Sequence, residues 1–148
     1  MTSIDHRHID EGFVRPEPSI GPRTEAFWTS GADGVLRIAR CEDCATWLHP
    51  PRPVCPSCRS MAIAPVAVSG RGTVHASTIN RYQWSPLLDA PYVIAEVDLD
   101  DAPGVRLLTS IVECDIDAVA IGMAVEVCFA RAGDAWIPLF RPATGASR

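Results

Sequence analysis

Two pairs of cysteines constrain what this 148-residue chain can fold into more than any other feature of its sequence. Two residues lie within each pair and ten lie between the pairs, which are Cys41, Cys44 and Cys55, Cys58. The turn within such a pair points both sulfurs the same way, and four thiolates form the tetrahedral shell that Zn²⁺ favours. We therefore predict a zinc ribbon around one structural ion, because a closed four-sulfur shell leaves no coordination position for water.

The same segment allows two alternatives to this zinc site and one further candidate ligand. A pair of disulfides requires an oxidising compartment, whereas two such pairs in a reduced chain are typical of metal sites. Iron is the second alternative, since softness and geometry do not separate Fe from Zn in a four-sulfur site, and it would make the chain an electron carrier. His49 lies between the pairs and is a further candidate ligand, but four cysteines already fill the shell.

The rest of the chain divides into segments on either side of this ribbon. The first of them mixes charge with proline and shows no periodicity, which indicates an extended or disordered arm. A short helix is predicted at Thr24–Thr29, closed by Gly31 and Gly34. The predicted limits of the arm, the helical segment, the zinc ribbon, the β domain and the tail are 1–18, 19–34, 35–63, 64–142 and 143–148.

Apolar alternation dominates the chain after residue 64 and predicts a mainly β domain. Five strands are predicted, at Val66–Thr78, Tyr92–Leu99, Val105–Val112, Ala124–Ala130 and Ala135–Phe140. Gly70 and Gly72 in the first strand mark a bulge or a sharp bend, and Glu113–Met123 is predicted to be a short helix or turn. Five strands with a helical plug between the third and the fourth have the order of an OB-fold barrel.

The formal net charge of −5 and the absence of lysine bear on the partners of the chain. Nucleic-acid binding depends on clustered cations that release counterions, and an acidic β domain provides few of them. Local arginine clusters suit the one or two phosphates of a small molecule better. A barrel that binds single-stranded nucleic acid is the alternative function, and it would show a steep dependence of affinity on salt.

Nothing in the sequence predicts contact with a membrane. No run of eighteen apolar residues occurs, and the first eight residues lack the apolar stretch of a signal peptide. We therefore expect a cytoplasmic protein, whose cysteines stay reduced.

The remaining cysteines and histidines do not form a recognisable catalytic set. Cys114 and Cys128 stand among apolar neighbours, which is typical of buried thiols and not of nucleophiles. His6 and His8 lie in the arm and His75 lies in a predicted strand, and their spacing does not recommend a Ser-His-acid triad. We expect the chain to bind and not to catalyse.

Several segments besides the cysteine pairs carry a family resemblance: Phe27–Trp28, Pro50–Arg52, Val68–Val74, Ala90–Val93, Val105–Thr109, Ile121–Met123, Val125–Val127 and Pro138–Arg141. In this order they resemble the DUF35 proteins, in which a rubredoxin-like zinc ribbon precedes an OB-fold. Family members often have glycine after the second cysteine of each pair, where a positive φ lets backbone amides face sulfur. Ala45 and Arg59 stand there instead, at a cost of roughly 1–2 kcal/mol each if they take that conformation.

The resemblance implies a non-catalytic subunit that forms a hetero-oligomer with a thiolase-fold enzyme, a thiolase or a retro-aldolase, including those of steroid and lipid side-chain degradation. It also implies that the chain binds acyl-CoA and either helps to hold its pantetheine and nucleotide or shapes the tunnel between active sites. Such a ligand needs cationic groups for its phosphates and an apolar groove for pantetheine. The candidates are Arg71, Arg81, Tyr82, Trp84, Pro91, Tyr92, Arg106 and Arg141. The loop with Trp84 and Leu87–Leu88 is alternatively the patch that meets the partner enzyme.

Overall fold

The structure is a computed structural model, and it describes residues 8–9, 15–86 and 88–145. Most of the predicted arm, together with His6 and Leu87, lies outside these residues, as does the end of the predicted tail. No helix within the described ranges is long and apolar enough to cross a membrane.

Strands dominate the described residues, and the predicted mainly β class is confirmed. The one α-helix there, α1, has the four residues Glu25–Trp28, and a 3-10 turn follows at Ser30–Ala32. The strands of the described residues are, in chain order, β1 (His8–Ile9), β2 (Arg37–Cys41), β3 (Trp47–Leu48), β4 (Ile63–Ala67), β5 (Arg71–Asn80), β6 (Tyr92–Leu99), β7 (Arg106–Thr109), β8 (Ala124–Ala132) and β9 (Ala135–Pro142). They form a three-stranded ribbon sheet and a six-stranded sheet, in which β1 pairs parallel with β8.

One buried hydroxyl ties the helical segment to the ribbon. Helix α1 is shorter than the predicted helix Thr24–Thr29, because the chain tightens into the 3-10 turn directly after it. The fully buried Ser30 hydroxyl donates to the Ala26 carbonyl over 2.8 Å and accepts from the Arg37 amide over 3.1 Å. Since an unpaired buried polar group costs about 1–3 kcal/mol, both bonds hold α1 against the start of β2.

The ribbon sheet contains a strand that the sequence assigns to the barrel. β2 lies in its centre, and β3 and β4 both pair with it antiparallel. The prediction of one long strand at Val66–Thr78 is wrong, because its first part belongs to β4 and its second part to β5 in the other sheet. The chain therefore leaves the ribbon and enters the barrel within the predicted strand.

Gly70 and Gly72 explain this break. Gly70 has a φ of +75°, in the left-handed region that favours glycine, so the backbone turns out of the ribbon sheet there. A Cβ at Gly70 would lie 2.3 Å from Cγ1 of Val127, and one at Gly72 would lie 2.6 Å from the carbonyl oxygen of Asp98. Both glycines thus permit close contact with neighbouring strands, and of the two predicted alternatives they mark the sharp bend, at which the chain passes from one sheet to the other.

Strands β5 to β9 curl into the five-stranded barrel that the sequence predicts. β5 pairs antiparallel with β6 and β8, β6 pairs with β7, and β8 pairs with β9. The circle closes where Ile111, beyond the end of β7, forms a parallel bridge with Phe140 of β9. There the Val112 amide donates to the Phe140 carbonyl over 2.8 Å, and the Phe140 amide donates to the Ser110 carbonyl over 3.1 Å. This is the arrangement of an OB-fold.

The predicted barrel strands differ from the observed ones mainly at their ends. β6 has the predicted limits, whereas β7 is shorter than the predicted Val105–Val112 because the chain turns after it to reach β9. β8 and β9 each extend two residues further than predicted. The predicted helix or turn at Glu113–Met123 contains a 3-10 turn at Ile116–Ala118, which the Asp115 carboxylate caps by accepting from the Asp117 amide over 3.0 Å.

The larger hydrophobic cluster joins the ribbon to the barrel. Leu36 and Ile38, at the start of the ribbon sheet, are almost fully buried and belong to the same cluster as Val74, Val97 and Phe129 of the barrel. Phe27 of α1 and Trp47 of β3 pack against this cluster from the outside. The ribbon and the barrel are therefore held together by shared apolar burial and not only by the connecting chain.

We predict that Gly31→Ala destabilises the protein through this packing. A Cβ at the buried Gly31 would lie 2.4 Å from Cβ of Trp136 and 2.9 Å from Cβ of Phe129. Overpacking of this kind costs about 1–3 kcal/mol, which thermal unfolding should register as a Tm lower by several degrees. Gly21→Ala is the matched control, because its nearest neighbour would be Oγ1 of Thr24 at 3.9 Å. An equal Tm in both variants would contradict the packing argument.

Candidate functional site

The two cysteine pairs form the same backbone turn twice. In the first, the Ala45 amide donates to the Cys41 carbonyl and the Cys41 amide donates to the Thr46 carbonyl, both over 2.9 Å. The second turn begins at Cys55 and repeats both bonds between residues in the same relative positions, over 2.9 and 2.8 Å. Cys41 ends β2, and the second turn lies in the loop before β4, so the ribbon sheet places the two turns opposite each other.

The sulfurs of the two turns meet at one point. All four Sγ atoms lie within 4.8 Å of one another, with 3.6 Å between Cys41 and Cys58 and 3.5 Å between Cys44 and Cys55. These separations exclude S–S bonds of about 2.05 Å and are close to the edge of about 3.8 Å in a tetrahedron with Zn–S bonds of about 2.3 Å. The four side chains therefore fit a structural zinc ion, which crosslinks the two turns when bound.

Thr46 stabilises the ionised form of one of the four sulfurs. The hydroxyl and the backbone amide of Thr46 lower the pKa of the Cys44 thiol to about 6, and Oγ1 of Thr46 lies 3.1 Å from that sulfur.

The residue after the second cysteine of each pair has a positive φ, which is 63° at Ala45 and 62° at Arg59. The two residues that replace glycine thus adopt the left-handed conformation, which costs a non-glycine residue roughly 1–2 kcal/mol.

The His49 side chain lies outside the cluster of four sulfurs. Within the described residues, the group of side chains that could hold a metal contains the four cysteines and no histidine. The His49 ring packs on Phe27 with 4.8 Å between the ring centroids, and burial lowers its pKa. His49 is therefore an uncharged part of the surface between α1 and the ribbon, and not a ligand of this cluster.

Two of the arginines predicted to bind a ligand pair with carboxylates of their own barrel. Nε of Arg106 lies 2.9 Å from Oδ1 of Asp98, and its NH1 lies 3.8 Å from Oε2 of Glu96. Arg141 is mostly buried and binds Glu126 over 3.1 Å and Glu113 over 3.2 Å. Their charges are thus partly neutralised within the chain.

The other predicted ligand residues lie at the start of β5, on the loop after β5 and at the start of β6. Arg71 is exposed, and Arg81 lies 3.8 Å from Oδ1 of Asp117. Tyr82 and Trp84 are 65% and 76% exposed and contact each other edge to face, with 4.7 Å between the ring centroids. Tyr92 is half-buried and follows the exposed Pro91. The structure therefore brings together the loop residues and leaves Arg106 and Arg141 on separate strands.

The described residues also form a hollow that the sequence does not predict. It lies between α1 and the ribbon, has a volume of about 360 Å³, and has Phe27 and His49 in its wall. Arg23 and Arg52 line it and are exposed. Neither residue is among those that the sequence predicts to bind a ligand, since each is a single arginine that follows a proline.

The remaining thiols are unlike activated nucleophiles. Burial raises the pKa of Cys128 to about 12, and burial raises the pKa of the half-buried Cys114 as well. Nδ1 of His75 lies 2.9 Å from Oδ2 of Asp98 and 3.2 Å from NH2 of Arg106 on the outside of the barrel. The burial that raises both pKa values agrees with the prediction that Cys114 and Cys128 are packed thiols.

We predict that the purified protein holds one zinc ion per chain and is colourless. Replacement of one sulfur, as in Cys55→Ser, should remove most of the zinc and the ribbon structure, because metal binding and folding are coupled in such a site. Elemental analysis and circular dichroism before and after a strong chelator measure both effects. Cys114→Ser is the control and should keep its zinc. A red, iron-containing protein, or full zinc content in Cys55→Ser, would contradict the four-sulfur zinc site.

We predict that Ala45→Gly raises the free energy of unfolding by about 0.5–1 kcal/mol, because glycine relieves the left-handed strain at this position. Ala67→Gly, at an exposed position of β4, should instead lower it by about 0.5–1 kcal/mol through chain entropy. Chemical denaturation of both variants in zinc-containing buffer gives the comparison. The strain argument fails if the two substitutions have the same sign.

Comparison with known proteins relates both parts of the chain to one family. The model of the ChsH2 rubredoxin-like zinc ribbon domain matches residues 28–63, and that of the ChsH2 C-terminal OB-fold domain matches residues 65–130. A solved structure named Ltp2-ChsH2(DUF35) aldolase contains a chain that superposes with a TM-score of 0.77 and 33% identity, covering 86% of this chain and 100% of that one. The predicted ribbon and OB-fold are confirmed by these matches.

Three curated relatives differ in how much of their length the chain covers. A DUF35 domain-containing scaffold protein of Methanothermobacter thermautotrophicus is 34% identical over 64% of this chain and 71% of its own. A probable enoyl-CoA hydratase alpha subunit of Thermomonospora curvata is 38% identical over 88% of this chain but 40% of its own. The 3-oxo-4,17-pregnadiene-20-carboxyl-CoA hydratase alpha subunit of Mycobacterium tuberculosis is 37% identical over 76% of this chain but 35% of its own. The chain thus spans about two fifths of the length of the hydratase subunits.

The cysteine turns, the ribbon sheet and the closed barrel of this chain agree with the predicted family resemblance and with these matches, which cover most of the chain. The chain therefore belongs to the DUF35 family, whose members combine a rubredoxin-like zinc ribbon with an OB-fold.

Proposed function

We propose that the protein is an accessory subunit that docks on a thiolase-fold enzyme, a thiolase or a retro-aldolase, and helps to hold its acyl-CoA substrate. The catalytic residues belong to the partner in this proposal. The observation that carries it is the superposition on the whole DUF35 chain of the Ltp2-ChsH2(DUF35) aldolase. Because the superposition covers 86% of this chain and 100% of that one, it supports a similar assembly.

The names of the relatives support acyl-CoA as the ligand. Both hydratase subunits are named for coenzyme A thioesters, and one of these thioesters carries a steroid nucleus. We therefore include steroid or lipid side-chain degradation in the proposal. Because those relatives are hydratase subunits, a hydratase is the second candidate for the partner enzyme, and the experiment below distinguishes the two.

The exposed aromatic pair supports a role in docking. Tyr82 and Trp84 present two large rings to solvent, and the indole of Trp84 is oriented by a hydrogen bond to Oδ1 of Asn80 over 2.9 Å. Aromatic side chains of this size are the commonest anchors of protein interfaces, where their burial supplies much of the affinity. In our proposal this loop contacts the partner enzyme.

The metal site and the thiols support a binding role for the chain itself. Four sulfurs fill the zinc shell, so the ion has no position for a substrate or an activated water. The two remaining thiols have raised pKa values because they are buried, which disfavours the thiolate needed for nucleophilic attack.

We also propose a cytoplasmic location, since a reducing compartment keeps the six cysteines free of disulfides.

Co-expression with candidate thiolase-fold and hydratase enzymes tests the proposal. A tagged copy of the full chain should co-purify with one of them, and the acyl-CoA turnover of that enzyme should rise when the chain is added. Titration with octanoyl-CoA, of the chain alone and of the complex, tests the ligand. The proposal fails if no complex forms and turnover is unchanged, and retention on single-stranded oligonucleotides at moderate salt would favour the nucleic-acid alternative.

We predict that Trp84→Ala weakens the complex about tenfold or more, because an interface tryptophan at the centre of a contact contributes about 2 kcal/mol or more. Ile121→Ala is the matched control, since Ile121 is 74% exposed and lies on a different loop of the barrel. Surface plasmon resonance on the folded variants gives both affinities. An unchanged affinity in Trp84→Ala would exclude this loop as the docking surface.

A further inference from the structure

The hollow between α1 and the ribbon continues towards the barrel. A second hollow of about 180 Å³ adjoins it and shares Phe27, His49 and Pro51 with it, and Leu108 and Ile137 of the barrel line its far side. We call the two together the helix–ribbon groove. It is built by all three parts of the fold, and its combined volume falls in the range of small-molecule sites, which is roughly 300–1,000 Å³.

The groove concentrates cations although the chain as a whole is acidic. Arg23, Arg37 and Arg52 line it, and none of its described lining residues is an aspartate or a glutamate. Arg37 is bound by the Asp33 carboxylate over 2.6 and 2.9 Å, which lowers the pKa of Asp33 to about 2. Arg23 and Arg52 form no ion pair within the described residues. Their guanidinium groups are available for an anion in the groove.

The wall between the cations and the barrel is apolar. Phe27 and Pro51 supply carbon surface, and the His49 ring lies against Phe27. Burial lowers the pKa of His49, so its ring is neutral at pH 7 and adds no charge to this wall. Beyond it, Leu108 is 76% exposed and carries the apolar surface onto the barrel. The groove thus has a cationic end and an apolar end.

We infer that the helix–ribbon groove binds acyl-CoA, with the phosphates at Arg23 and Arg52 and the pantetheine and acyl chain along Phe27 towards Leu108. This inference rests on the proposed function and locates its ligand. Guanidinium groups bind phosphate oxygens through charge-assisted hydrogen bonds, and the apolar wall suits the thioester arm. Arg106 and Arg141, by contrast, already bind carboxylates of the barrel. The charge pattern of the groove therefore matches acyl-CoA better than the barrel residues do.

Calorimetric titration of the full zinc-loaded chain with octanoyl-CoA tests this assignment. Arg23→Glu and Arg52→Glu should each weaken octanoyl-CoA binding at least tenfold, because a carboxylate then repels the phosphates. Arg131→Glu reverses an exposed charge on β8, outside the groove, and should change affinity less than about twofold. Ala26→Trp fills the groove from α1 and should also weaken binding, with zinc content and circular dichroism confirming the fold.

The outcomes separate this inference from the proposed function. If the unmodified chain binds no octanoyl-CoA, alone or in its complex, the acyl-CoA role itself is overturned. If it binds and both groove variants keep full affinity, the groove assignment is overturned while the acyl-CoA role stands. Loss of affinity in Arg71→Glu or Arg81→Glu with intact groove variants would move the site to the barrel. Groove variants that weaken only the enzyme complex would make the groove a protein contact.

Discussion

Four sulfur atoms within 4.8 Å of one another repel as thiolates unless a cation lies between them, and a bound zinc ion replaces that repulsion by four bonds. The ion then crosslinks the end of β2 with the loop before β4. Because Leu36 and Ile38 anchor the same sheet in the barrel core, the crosslink reaches the barrel through packed side chains. The relative positions of ribbon and barrel therefore depend on the metal centre as well as on apolar burial.

This rigid connection gives the proposed ligand site its geometry. Helix α1 has only four residues and cannot be stable alone, so its position depends on the Ser30 hydroxyl and on the packing of Phe27. The groove exists because α1, the ribbon and the barrel are fixed against one another. In our proposal a chain with no catalytic group of its own contributes to a reaction by holding a substrate in this fixed geometry.

The charges show how net composition and local structure differ. A net charge of −5 argues against an extended cationic track, but it does not reveal where single arginines lie. Arg106 and Arg141 looked equivalent to the other arginines in the sequence, yet the structure pairs them with carboxylates on neighbouring strands. Arg23 and Arg52 lie far apart in the chain and come to the same groove only after α1 packs beside the ribbon.

The sequence by itself determined the metal ligands, the number of barrel strands and the limits of β6, because spacing and alternation are local properties that survive folding. It also placed Ala45 and Arg59 where left-handed backbone is required. Only the tertiary structure decided that β4 belongs to the ribbon and β5 to the barrel, since strands of either sheet show the same period of two. Only the tertiary structure revealed the helix–ribbon groove, because the groove depends on contacts between residues that are far apart in the sequence.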